Sequence, residues 1–173
     1  MKRIYTFGAS LLMLFGVFCG LSGCDGGGDA KNSSSFTTAA AQGGITEVKL
    51  GNLALAKAQS ADVRQFAEMM VADHTKANSD LKEIAAKKSV ALPTEMNDEQ
   101  KSIMDKLSKL SGAEFDKEYV KAMVEDHEKD VKEFGTQAQS GTDADVKAFA
   151  ARTLPMLQSH LDMVKGIKER MMK

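Results

Sequence analysis

The chain has 173 residues, with 23 Lys and Arg against 24 Asp and Glu, 2 Cys and no Trp. Neither sign of charge dominates, which excludes a general polyanion binder, because phosphate binding needs a concentrated basic face. Both cysteines stand early, at positions 19 and 24, so the rest of the chain offers neither a disulfide framework nor a thiolate metal site.

Lys2 and Arg3 make a short basic start, an uncharged apolar run follows from Leu11 to Phe18, and the stretch ends in small residues. This is the pattern of a signal peptide. Leu21-Ser22-Gly23-Cys24 resembles a bacterial lipobox, which makes 1–23 a lipoprotein signal peptide and Cys24 the lipidated N-terminus. The alternative is ordinary cleavage that leaves a stray thiol. Removing 1–23 leaves 150 residues (173 − 23) with 21 basic and 24 acidic side chains, a net charge of −3. That length suffices for one domain with a real core. Acyl chains on Cys24 imply a membrane partner and a domain held in the periplasm of a bacterial cell envelope. Asp25 resembles an inner-membrane retention signal; the choice of membrane stays open. Residues 24–35 then read as the lipidated Cys and a flexible Gly/Ser tether, with a reach of roughly 17–20 Å. No later apolar run approaches the roughly 20 residues of a membrane span.

From Phe36 onward the pattern is helical throughout, and positions 36–173 form one domain. The first helix spans about 36–58. The second spans about 61–89, after Ser60 as a plausible N-cap, with Val63, Phe66, Met70, His74, Ala77, Leu81 and Ile84 inward. Pro93 marks a stop, and Asn97 or Asp98 opens a short helix carrying Ile103, Leu107 and Leu110. Ser111-Gly112 precedes the third long helix, which turns Phe115, Tyr119, Met123, His127, Val131 and Phe134 inward and loosens between Gly135 and Gly141. Thr142 or Asp143 caps the last, whose inward set is Val146, Phe149, Thr153, Met156, His160, Val164 and Ile167. Pro155 removes the hydrogen bond to the Ala151 carbonyl and predicts a kink. Helices of about 23 to 30 residues are roughly 35–45 Å long, so their apolar stripes must bury against one another. The fold class is therefore all-α: an antiparallel four-helix bundle, with the extra short helix in the long connection across one end or side.

The 3 histidines carry the chemical signal. His74, His127 and His160 each lie on an apolar seam at the middle of a different long helix, and middles meet in an antiparallel bundle. Glu47, halfway along the first helix, completes the ring unless Ile45 and Val48 define the buried face there. Neutral imidazoles with one carboxylate suit one transition metal ion: zinc, copper or iron. Met70, Met123 and Met156 each stand four residues before a histidine, on the same face, where thioethers suit a soft ion or simply fill the core. The more ordinary reading of each inward His is a core residue bonded to a neighbour. Asp73 and Asp126 point about 100° away from the adjacent His. They can orient an imidazole on another helix, although solvated faces and pairs such as Asp73 with Lys76 are the commoner arrangement. Asp130 lies one turn past His127. No phosphate loop, Cys nucleophile or Ser elbow appears, so nucleophilic catalysis has no support and nucleic acid is not an expected partner.

Segments 47–54, 70–78, 112–119, 123–127 and 154–161, which include Met70-Val71-Ala72-Asp73-His74 and Met123-Val124-Glu125-Asp126-His127, resemble the bacterial domain of unknown function 4142. The resemblance implies a ferritin-like bundle in a secreted or lipid-anchored protein. The wider ferritin-like group implies di-iron chemistry through Glu-x-x-His pairs. Here Val71, Val124 and Leu157 occupy the Glu position, so a mononuclear constellation of Glu47 with the three His replaces that centre. Two functions follow as expectations: an anchored domain that binds a transition metal, or an envelope module that docks another protein and uses its His as core residues.

Overall fold

The computed structural model describes residues 26–173, with side chains from 33 onward. The expected signal peptide and Cys24 lie outside the described residues. Five helices follow one another: α1 (Gly26–Lys57), α2 (Ala61–Lys87), α3 (Asp98–Ser108), α4 (Gly112–Ser140) and α5 (Ala144–Met171). All regular structure among the described residues is helical. None of these helices is long and apolar enough to cross a membrane.

Two boundaries differ from the sequence expectation, and the last helix contains Pro155 as expected. α1 begins at Gly26, inside the segment expected to be tether. Ser33 is buried there, and the buried Thr37 just beyond it donates its hydroxyl to the Ser33 carbonyl at 2.6 Å, so small polar side chains carry the helix onward by packing and bonding to its own backbone. α4 continues through Gly135, where the expected loosening does not occur, and stops only at Gly141. Buried Phe134 and Gln137 hold that last stretch against the body. α5 runs unbroken through Pro155, which is exposed.

Local chemistry explains the ends. Asn97 and Gln100 form a reciprocal capping box at α3, and Asp143 accepts from the Asp145 and Val146 amides at α5. α2 closes with Ser89 at φ 55°. The Ser89 amide bonds to the Ala86 carbonyl and the Val90 amide to that of Ala85, a Schellman arrangement.

Contacts at the ends fix the direction of each rod. Lys57 Nζ donates to the Leu110 carbonyl at 3.0 Å, and the buried Asp116 carboxylate accepts from the Gln59 and Ser60 amides at 3.1 and 2.7 Å. Arg170 donates to Asp62 at 2.9 Å. The end of α1, the starts of α2 and α4 and the end of α5 therefore meet. At the opposite end Lys88 pairs with Asp143 and Asp145, and Phe36 sits edge-on against Phe134. α1 is thus antiparallel to α2 and α4, α5 is antiparallel to both as well, and α1 packs on α2 and α4 while α5 packs on α4 and α2. Because α2 and α4 point the same way, the chain between them must return along the body. α3 makes that return, lying against α1 and α4.

The core is layered. Phe66, Met70, Phe115, Tyr119, Met123 and Val164 form one apolar cluster, and Leu81, Ile84, Phe134, Phe149 and Leu157 form another. Along α2, α4 and α5 the histidine stands between a member of one cluster and a member of the other. The interior therefore has an apolar half, a polar layer and a second apolar half. One inward position is corrected: Met156 is only half-buried and Leu157 takes its place, because α5 steps inward as 153, 157, 160, 164, 167. Ala77 and Val131 are likewise half-buried.

Candidate metal centre

Two glycines decide how closely α1 meets α2. A Cβ on Gly44 would stand 1.9 Å from Asn78 Oδ1, and one on Gly51 would stand 2.8 Å from Val71 Cγ2. Glu47 lies between these glycines on α1, and His74 lies between Val71 and Asn78 on α2. The close approach brings Glu47 Oε2 to 2.7 Å from His74 Nδ1. Glu47 is inward, 2 % exposed, whereas Ile45 and Val48 are half-buried.

The three imidazoles converge. Ring centroids are 5.3 Å apart for His74 and His160, 5.5 Å for His127 and His160, and 5.7 Å for His74 and His127. One ligand nitrogen from each ring lies within 4.8 Å of the others, and the rings are 0–3 % exposed. Phe66 closes one side, edge-on to His127 at 6.3 Å and to His160 at 6.1 Å. On another side Glu47, His74, Asn78, Asp130 and Thr153 line a cavity of about 20 Å³, the size of a single water.

Hydrogen bonds assign the ring protons. His127 Nδ1 lies 3.0 Å from the Met123 carbonyl, which can only accept, so Nδ1 carries the proton. His160 Nε2 donates to Asp73 Oδ2 at 3.0 Å. When Glu47 is ionised, His74 donates to it from Nδ1 by the same logic. One nitrogen of each ring is then left as a bare lone pair: His74 Nε2, His127 Nε2 and His160 Nδ1. These three atoms and Glu47 Oε1 are buried without a hydrogen-bond partner.

Burial also sets the charges. It lowers His74 to about 4, against which Asp126 and Asp73 pull upward, and it lowers His127 to about 3 with help from His74 and His160. His160 is lowered as well, by burial, against the bond to Asp73. All three rings are therefore neutral near pH 7, the form that ligates metals. Burial and then Asp126 raise Glu47 well above the ordinary carboxylate value. Asp130 and Asp126 are raised by burial too, and the Tyr119 hydroxyl, buried and without a partner, is raised by burial, Glu47 and Asp126.

The sequence reading of Asp73 resolves in favour of the neighbouring helix: it bonds His160 on α5, while Lys76 pairs with Asp80 at 3.0 Å. Met70 and Met123 sit in the apolar cluster. Two aspartates named from the sequence take definite places, and one group was missed. Asp126 stands with Glu47 and His127, its ligand oxygen within 4.8 Å of theirs. Asp130 reaches the cavity wall. The Tyr119 hydroxyl belongs to the polar layer's electrostatics although its ring reads as plain core. Asp126, next to the repeated histidine, and Asp130, one turn past it, carried a visible signal; the Tyr119 hydroxyl did not.

The family described as Domain of unknown function (DUF4142) matches residues 25–167. The chain belongs to this family. A crystal structure of a DUF305 fragment from Deinococcus radiodurans is similar in fold, with a TM-score of 0.71, 13 % identity, and coverage of 80 % of this chain and 96 % of that one. No curated protein matches.

The donor set of this DUF4142 chain fits a transition metal. Three nitrogens around an ion with ~2.0–2.1 Å bonds stand about 3.3–3.6 Å apart, so the rings need close by little more than about 1 Å, within the reach of side-chain rotation. Each ring already has its other nitrogen held by a carboxylate or carbonyl, the outer support that metal-binding histidines use.

Proposed function

We propose that this chain is an envelope lipoprotein whose ferritin-like four-helix bundle, with one long crossover bearing α3, holds a single transition metal ion on His74, His127 and His160. Glu47 is the adjoining carboxylate. The observation that carries this reading is the set of three buried imidazoles, each with one nitrogen tethered and the other unpartnered, and one ligand nitrogen of each lies within 4.8 Å of the others. Unpartnered buried polar atoms are costly, and an ion satisfies one nitrogen of each ring at once. Its charge also compensates that of an ionised Glu47, a form that burial disfavours. Neutral imidazole suits zinc, copper or iron. Anchoring through Cys24 rests on the lipobox-like sequence and keeps the domain on a membrane facing the periplasm.

Metal content decides the matter. The purified chain, loaded with zinc, copper or iron and desalted, should retain about one ion, and His74→Gln, His127→Gln or His160→Gln should each lose it. No retention, or retention indifferent to all three changes in chains that keep their helical circular dichroism, refutes the site.

A second reading, an envelope interaction module, draws support from the exposed Met171 and Met172 at a groove with Ala113 and Val120. Crosslinking in envelope extracts that depends on these methionines would favour it.

A further inference from the structure

His127 belongs to two constellations. Besides the imidazole triad it shares a set of potential ligands with Glu47 and Asp126, whose donor atoms also lie within 4.8 Å of one another. Its Nδ1 is committed to the Met123 carbonyl, so Nε2 serves both sets, and Glu47 Oε1 stands 3.7 Å from it. Glu47 Oε1 and His127 Nε2 are both buried and unpartnered. One lone pair cannot ligate two ions, so the two sets exclude each other.

The sets differ in chemistry and in access. The triad is all nitrogen and sealed. The other is two carboxylates and one imidazole, a harder donor set that suits a partly hydrated ion. Asp126 is half-buried and also lines a surface pocket of about 290 Å³ between α3 and α4. Lysines at that pocket have carboxylates of their own: Lys106 faces Glu118, Lys121 faces Glu125, and Lys129 faces Glu133. Asp126 thus joins solvent on one side to the two buried orphan atoms on the other.

We propose that Glu47, Asp126 and His127 form a second, oxygen-rich cation site at the mouth of the triad, through which a divalent ion enters from the α3–α4 pocket and passes to the imidazoles about the shared Nε2 of His127. This rests on the triad holding metal, as proposed above. The ion arrives with some of its water, exchanges water for carboxylate oxygen at Asp126 and Glu47, and then exchanges Asp126 for His74 and His160. Any proton on Glu47 or Asp126 passes to solvent as the ion binds, and no change of oxidation state is required.

Manganese(II) reports the oxygen-rich site by its electron paramagnetic resonance, and zinc reports the triad. The full-length chain should bind one manganese, and zinc should release it one for one. Asp126→Asn, nearly isosteric, should weaken manganese by about tenfold or more and slow zinc uptake from a chromophoric chelator by a similar factor, with the final zinc stoichiometry kept. His160→Gln should do the reverse, keeping manganese affinity while zinc binding weakens to what the oxygen-rich site alone gives; His127→Gln should weaken both. Manganese affinity and zinc uptake both unchanged in Asp126→Asn, or manganese and zinc bound together, overturn the inference and leave the triad standing. Manganese bound but zinc refused by the unaltered chain overturns the triad reading instead. If Asp126→Asn does not fold, the competition between the two ions on the unaltered chain still decides.

Discussion

Gly51→Ala should separate α1 from α2 and loosen the centre without touching a polar group. The new Cβ stands 2.8 Å from Val71 Cγ2 and 3.3 Å from the Ala67 carbonyl oxygen. Val71 is β-branched with one favoured rotamer on a helix, and Ala67 presents backbone, so neither neighbour can swing aside. Restoring carbon–carbon contact to about 3.5 Å requires α1 to withdraw by roughly 0.7 Å. Overpacking of this kind costs about 1–3 kcal/mol. Alanine in place of glycine in the same helix returns about 0.5–1 kcal/mol. Gly43 isolates that second contribution, since a Cβ there meets nothing within 4 Å. Gly43→Ala should therefore be stabilising by about 0.5–1 kcal/mol, and Gly51→Ala less stable than Gly43→Ala by about 1–3 kcal/mol. Urea midpoints at constant slope measure both. The same withdrawal lengthens the 2.7 Å contact between Glu47 and His74, so Gly51→Ala should also retain less metal than Gly43→Ala. Equal stabilities for the two variants would refute the argument that glycine sets the helix spacing.

Ser89→Gly should stabilise the chain by about 0.5–1 kcal/mol, because Ser89 holds φ 55° at the end of α2 where glycine is unstrained; thermal melting reads the difference. Asp116→Ala leaves the Gln59 and Ser60 amides without their acceptor and should cost about 1–3 kcal/mol by urea unfolding, whereas a cost below about 0.5 kcal/mol would mean water replaces the carboxylate freely. Burial holds His127 at about 3 in the folded chain, far below an exposed imidazole. Its contribution to stability is therefore complete above about pH 6.5 and is lost on acidification toward pH 3, at about 1.4 kcal/mol per pH unit. Glu47 and Asp130, raised by burial, work in the opposite sense as pH rises above the ordinary carboxylate range. Urea midpoints between pH 4 and 6 should consequently fall more steeply on acidification for the unaltered chain than for His127→Gln, and parallel profiles would show that His127 is free to protonate in the fold.

The helices were legible because their apolar residues recur at three and four, and nearly every inward position on α2 and α4 follows from that period alone. The failures share a cause: the sequence shows composition, but the structure is decided by contacts. Ser33, Ser34 and Ser35 read as tether because nothing local demands helix there, yet α1 already includes them and Ser33 is buried. Gly135 reads as a weak point because glycine is a poor helix former, yet Phe134 and Gln137 on either side of it are buried and hold the turn. Met156 and Leu157 are equally apolar, and which faces inward depends on the phase of α5, one residue finer than a pattern of threes and fours resolves.

The same distinction governs the site. Convergence of His74, His127 and His160 follows from their central positions, since antiparallel rods align their middles whatever their order. Their capacity to bind an ion does not follow from position. It depends on which ring nitrogen is tethered, and that is fixed by three dissimilar partners: a carboxylate on α1, the chain's own carbonyl one turn back, and a carboxylate on α2 reaching across to α5. Had Asp73 paired with Lys76 as its spacing suggests, His160 would lack the acceptor that leaves Nδ1 as its lone pair. Asp73→Ala therefore separates position from tautomer. The ring of His160 should stay in place, held by Phe66 and the two other imidazoles. Metal affinity should nonetheless fall by about 10–100-fold, the usual consequence of removing an outer hydrogen-bond partner. Calorimetric titration with zinc measures this directly. Unchanged affinity in Asp73→Ala would mean that the tethers do not set the lone pairs, and the case for a metal site would then rest on proximity alone.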